Sequence, residues 1–215
     1  MRIIGIYLRE NKWYSVNKIL KPGWYPFGNY PDPNDNLSYA LPKRTSVEKY
    51  LYDLFPNNPH IEVSCLVGMN GSGKSTLLDV MYRLINNFSV KVLGNRMDNK
   101  HGRHLKYAHG VNADLYYELD DVFYKIECKG DEVYLYHKVG KEFVKIDIIP
   151  EDLSCFDHFF YTISNNYSLY ALNDKEYEEE NNNGDKINGD WVDGLFHKND
   201  GYLSPIVITP FRERG

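Results

Sequence analysis

The chain has 215 residues, enough for one sizeable core or a core with a small attached subdomain, and 42% hydrophobic with 26% charged residues is the composition of a folded protein. A net charge of −5 gives nucleic-acid binding no support from bulk charge, and three widely spaced cysteines (Cys65, Cys128, Cys155) argue against a disulfide framework. The apolar run Ile3–Leu8 is too short for a signal-peptide core, and no stretch approaches the ~18 apolar residues of a membrane span, so the chain reads as cytoplasmic with no membrane partner.

In chain order, Arg2–Leu8 reads as a strand, and Tyr7, Trp13 and Tyr14 fall in that N-terminal strand region. Residues 21–59 are rich in Pro, Gly and Asn and read as loop, with one short helix at Ser46–Phe55 capped by Ser46. Ile61–Val67 is largely apolar and β-branched, the pattern of a buried strand ending at Gly68. From Lys74 the apolar residues Leu77, Leu78, Met81, Leu84, Ile85 and Phe88 recur at spacings of three and four, which predicts an amphipathic helix to about Asn86. Gly94–Gly110 is basic and unperiodic, hence loop. Ala113–Leu119, Val122–Cys128, Glu132–His137 and Phe143–Ile148 form an antiparallel meander, with turns at Asp120-Asp121, Gly130-Asp131 and Gly140-Lys141. Phe159–Ile163 reads as a further strand, and the acidic, Asn-rich Asn173–Asp190 as a solvated loop. A short helix at Trp191–Phe196 and a strand at Ile206–Thr209 complete the elements. The 19 tyrosines suit half-buried sheet faces, with the ring packed and the hydroxyl wet.

One segment carries chemistry. Gly68-Met69-Asn70-Gly71-Ser72-Gly73-Lys74-Ser75 fits the phosphate-binding pattern G-x-x-x-x-G-K-[ST] in full, between an expected strand and an expected helix. A triphosphate needs many donors aimed into one small volume, and a loop curled around the anion supplies them from its backbone amides. Gly68, Gly71 and Gly73 allow the positive φ angles and close approach this requires, and the following helix turns its N-terminal amides and dipole toward the phosphates. Lys74 then supplies an ammonium for the β- and γ-phosphates, and Ser75 a hydroxyl for magnesium, which prefers hard oxygen ligands. Thr76 caps the loop or touches the α-phosphate. The expected ligand is ATP with Mg2+; GTP is disfavoured because no N-K-x-D motif is present, Asn17-Lys18-Ile19-Leu20 lacking the Asp.

The longer string Val67–Leu78, VGMNGSGKSTLL, resembles the Walker A region of the ABC-type ATPase superfamily, closest to its soluble SMC, RecF and overcoming-lysogenisation members, which write G-x-N-G-[SA]-G-K-S-T at this point. Asn70, Gly71, Ser72, Gly73, Lys74, Ser75 and Thr76 match position by position. The resemblance implies an α/β fold, with a P-loop NTPase-like core and an antiparallel β subdomain. In this chain the parts would be an N-terminal strand with loops (1–60), the P-loop strand and helix (61–90), the meander (112–149) and further core strands with the acidic loop (156–215). It also implies that Tyr161-Thr162-Ile163-Ser164-Asn165-Asn166 corresponds to the loop after the next core strand, where family members place a Gln on magnesium and the attacking water. The chain has no Gln. Ser164, Asn165 or Asn166 would substitute, with Asn165 the candidate magnesium ligand; a plain polar turn is the equal alternative.

The sequence departs from that family in two further places. No run of four apolar residues ends in Asp-Glu, the nearest being Leu119-Asp120-Asp121, which Glu118 interrupts and a hairpin turn explains better; no LSGG-like signature follows. The expectation is therefore the first lobe of a larger ATPase, binding ATP but needing a second half or another copy to hydrolyse it. A nucleotide-sensing module without turnover is the alternative; Leu195–Arg214 vaguely resembles segments of uncharacterised bacterial ATPases found with restriction or phage-defence genes, which implies a process of that kind. A small-molecule kinase is disfavoured, because a β-meander follows the P-loop helix where such kinases place a lid. His101, His104 and His109 lack a nearby Cys and read as an exposed loop rather than a zinc site. Lys100, Arg103 and Lys106 in the same loop are a modest nucleic-acid contact candidate, and Trp13 or Tyr14 a candidate adenine platform.

Overall fold

The structure is a computed structural model that describes residues 1–35, 63–94, 105–166 and 173–195, with backbone alone at 165–166 and 206–210. The helix expected at Ser46–Phe55, together with His101, His104, Lys100 and Arg103, lies outside the described residues.

The fold is mixed α/β. Its main sheet has six antiparallel strands in the order β2-β1-β3-β4-β5-β6: β1 (Arg2–Leu8), β2 (Gly23–Pro26), β3 (Asn112–Leu119), β4 (Val122–Lys129), β5 (Glu132–Val139) and β6 (Glu142–Ile146). The meander thus forms as the alternation predicts, while β2 falls in a stretch expected to be loop. Asp120 and Asp121 both take positive φ (50° and 62°), in register between Leu119 and Val122. Two such residues twist a two-residue turn the same way as its strands, which is why an Asp pair sits there.

Strand alternation gives the sheet two faces. One carries Ile6, Leu8, Ala113, Leu115, Tyr117, Tyr124, Ile126, Cys128, Val133 and Leu135, and α2 (Lys74–Leu93) packs across it through Leu77, Val80, Leu84, Ile85, Phe88 and Val92. The other face holds a smaller aromatic cluster of Ile4, Tyr116 and Phe123 beneath Tyr7, Trp24, Tyr30 and Phe143. Charges buried on that second face are paired: Arg2 with Glu118 (2.6 Å), Arg9 with Asp114 (2.5 Å), and Glu127 with Lys125 (3.1 Å) and Lys129. Burial pushes the Asp114 carboxyl up to about 6, against the pull of the Arg9 guanidinium.

The helix α2 runs about two turns beyond the expected end at Asn86. Polar residues there do not break it, because their amide and hydroxyl donors find carbonyls: Asn86 Nδ2 donates to the Lys106 carbonyl (2.7 Å), Asn87 Nδ2 to that of Ala108 (2.9 Å) and Ser89 Oγ to that of Ile85 (2.6 Å), while Asn86 Oδ1 is buried without a partner among the described residues. Trp13 and Tyr14 are not in a strand; Trp13 precedes the short α1 (Tyr14–Asn17).

The strand expected at Phe159–Ile163 is displaced. A 3₁₀ turn at Leu153–His158 leads to buried Phe159 and Phe160, and the strand β7 is Thr162–Asn166. It pairs in parallel with β10 (Ile206–Pro210), Asn165 opposite Thr209. The segment Asn173–Asp190 is also not a solvated loop. It forms a 3₁₀ turn (Asp174–Tyr177) and a small hairpin of β8 (Glu179–Glu180) and β9 (Lys186–Ile187). With the 3₁₀ turn Val192–Leu195 it buries Tyr177, Ile187, Trp191, Val192 and Leu195 in the main core. Five large apolar side chains outweigh the acidic composition, whose carboxylates stay at the rim. Among the described residues no helix is long and apolar enough to cross a membrane.

Candidate functional site

The segment Gly68–Ser75 turns sharply into α2. Gly71 (φ 76°) and Gly73 (φ 90°, ψ 10°) adopt the left-handed conformations that a side chain disfavours, and Ser72 N–H donates to the Met69 carbonyl at 3.2 Å. Gly73 is the cap: its carbonyl accepts the Leu77 amide at 2.9 Å, while among the described residues no side chain bonds the first turn of amides. A Cβ at Gly73 would run into the Leu20 side chain, one at Gly68 would lie 2.7 Å from Ser72 Oγ, and Gly71 faces open space.

The Lys74 side chain doubles back over this turn. Its ammonium donates to the Gly68 carbonyl at 2.7 Å and the Met69 carbonyl at 2.8 Å. Loop and lysine therefore converge, with the cation held above the start of the loop by two neutral acceptors. Asn70 is exposed, Ser72 and Ser75 are less so, and Thr76 is buried.

The segment before the loop does not match the expected buried strand. Residues 63–67 carry no strand, and Val63 and Val67 are exposed at 71% and 87%. Strand residues are buried by neighbouring strands, and the parallel pair β7–β10 does not extend to this segment.

The second candidate segment approaches the helix from the side. Glu151 N–H donates to the Val92 carbonyl (2.8 Å), the Phe156 and Phe159 rings lie on Phe88, and Ser164 Oγ is 2.6 Å from the Tyr82 hydroxyl. The chain from 151 to 164 thus runs along α2 toward its N-terminus. Asn165 follows inside β7, not in a loop after it.

A network that sequence reading missed surrounds the first half of α2. Asp79, one turn beyond Ser75, accepts from the Tyr177 hydroxyl (3.3 Å) and lies 3.8 Å from Lys18 Nζ. One turn further, Arg83 is almost fully buried, 5.1 Å from the Tyr177 ring and 5.0 Å from the Trp191 ring, with Nη2 donating to the Ser15 carbonyl at 3.4 Å. Burial lowers its pKa to about 10 against the Asp79 charge, and burial raises the Asp79 carboxyl against Lys18 and Arg83. Glu179 accepts the amides of Tyr14 (3.0 Å) and Ser15 (2.6 Å), which hold its carboxyl below the usual range although burial opposes them. The four-residue spacing of Ser75, Asp79 and Arg83 was the available signal, since it sets all three on one helix face.

The remaining candidates separate clearly. Asp120 and Asp121 form a hairpin turn, as expected. Trp13 is packed over Gly110 with Lys12 Nζ 4.8 Å from its ring, whereas Tyr14 is exposed. His109 bonds Asp131 at 2.7 Å, Lys106 pairs with Asp190, and no metal-type cluster occurs among the described residues. No model of a known family matches the chain, and neither curated proteins nor solved structures give a match.

Proposed function

We propose that the loop Gly68–Ser75 binds the phosphates of ATP with magnesium, and that the chain is the ATP-binding lobe of an ABC-type ATPase. The observation that carries the reading is the Lys74 ammonium held over the Gly68 and Met69 carbonyls, at the glycine-capped N-terminus of a 20-residue helix. A polyphosphate needs such a mobile cation beside converging amides. In this reading Gly68, Asn70, Gly71, Ser72, Gly73 and Lys74 surround the β- and γ-phosphates, and Thr76 holds the loop from below. Ser75 faces magnesium. The direction of the chain along α2 supports a role for the Asn165 region on the magnesium side. Hydrolysis awaits a second half or another copy that brings the acidic groups, in work on DNA or in phage defence.

A nucleotide-sensing module without turnover is the second reading. It is favoured by Asp120 and Asp121, the acidic pair nearest in sequence to a magnesium-holding type, which are spent on the turn between β3 and β4. Titration with a fluorescent ATP analogue, with and without Mg2+, tests binding; saturable Mg2+-dependent binding lost in Lys74→Ala supports the site, and binding unaffected by that change removes it. Phosphate release as a function of protein concentration then separates the two readings.

A further inference from the structure

The P-loop is touched by a segment that no phosphate-binding pattern contains. Leu20 lies against Gly73 so closely that no Cβ would fit, and Ile19 lies beside it. This segment leaves α1 through Lys18, whose φ of 47° and ψ of −114° are unusual for a residue with a side chain. Such a backbone persists only where surrounding contacts hold it. Three do. Lys18 N–H donates to the Tyr14 carbonyl at 2.6 Å, Leu20 N–H donates to the Asn17 carbonyl at 2.8 Å, and the Lys18 ammonium lies between Asp79 (3.8 Å) and the Tyr177 ring (5.6 Å).

Both ends of α1 are thus fixed to the same partner. At its start Glu179 takes two amides, and at its end Lys18 reaches Tyr177; both acceptors belong to the 173–195 segment, which also encloses Arg83 of α2 with Tyr177 and Trp191. We propose that Lys18 is a positioning residue for the phosphate-binding turn. Anchored by Asp79 and by the 173–195 segment, it holds Leu20 on Gly73 and so keeps the turn in its anion-ready shape. The seating of the 173–195 segment then sets the affinity of the loop for nucleotide. Only that last step rests on the function proposed above.

The test uses the full chain and three variants, Lys18→Met, Lys18→Arg and Glu179→Gln, the last being remote from the loop and nearly isosteric. Amide hydrogen exchange is followed without nucleotide. Peptides covering 69–74 are expected to exchange about ten-fold faster in Glu179→Gln and Lys18→Met, at unchanged rates in the C-terminal half of α2, with Lys18→Arg near wild type. A general loss of stability would instead speed all protected amides together. Exchange at 69–74 within about two-fold of wild type in a folded Glu179→Gln protein overturns the proposal, whether or not the protein binds nucleotide. In the nucleotide arm, ATP and ADP are expected to weaken by the same factor, with an unchanged salt slope. A loss confined to ATP and steepened by low salt would mean that Lys18 touches phosphate directly and would overturn the positioning role. Absence of binding by the wild-type chain bears on the function proposed above and leaves the exchange result to decide this one.

Discussion

The Tyr82 hydroxyl and Ser164 Oγ lie 2.6 Å apart and join α2 to the parallel strand pair. This contact lies two turns along α2 from Ser75, and it fixes the direction in which β7 meets the helix. Removing the hydroxyl in Tyr82→Phe leaves Ser164 unpaired in a half-buried site. The expected cost is about 1 kcal/mol in urea unfolding, and Tyr82→Phe with Ser164→Ala should cost less than the sum of the two. Strict additivity would mean that the two groups do not interact.

The glycines of the loop should differ sharply from one another. Gly73→Ala meets both a left-handed backbone and the Leu20 side chain, and we expect destabilisation of roughly 2–4 kcal/mol. Gly71→Ala meets only the backbone term, because nothing lies within 4 Å of its Cβ position, and should cost about 1 kcal/mol. Thermal or denaturant unfolding of the pair measures the difference; equal effects would argue against the observed packing of Leu20.

Lys74→Ala separates binding from stability. The bonds from its ammonium end on exposed carbonyls that water can satisfy, so unfolding should change by less than about 0.5 kcal/mol. Loss of ATP binding by at least ~100-fold is expected in the same variant, read by isothermal titration. A variant that is grossly unfolded would show the lysine to be structural.

Trp191 tests the packing of the acidic segment. It is fully buried against Tyr177 and Arg83. Trp191→Ala should therefore cost about 3–5 kcal/mol, the scale of an aromatic core truncation. A solvated segment would give almost nothing.

Asp114 predicts a pH dependence. Its folded pKa is raised from 3.8 to about 6, so the folded chain binds the proton more tightly than the unfolded one. The stabilisation from that proton is complete below about pH 4 and is lost as pH rises through 6, on the order of 3 kcal/mol in all. The melting temperature of wild type relative to Asp114→Asn should fall across that window and stay level above it. A rise with pH would mean that the Arg9 pair, and not burial, dominates the carboxyl.

Whatever depends on neighbours along the chain was legible before any tertiary contact was known. Alternation in residues 112–146 produced the meander, the Asp120-Asp121 pair its first turn, and the glycines with Lys74 a left-handed turn into a helix, because φ preference and periodicity are local properties. Tertiary structure decided what depends on distant partners. The run before Gly68 has strand composition, but its described residues 63–67 acquire no strand neighbour, and composition cannot supply one. The Asn-rich end of α2 stays helical because carbonyls from 106–108 satisfy its side chains. The acidic segment folds inward because Arg83 offers two aromatic rings a buried cation and α1 offers Glu179 two free amides. The contacts of the acidic segment join residues far apart along the chain, Arg83 with Tyr177 and Trp191 and Tyr14 with Glu179, which no local pattern encodes.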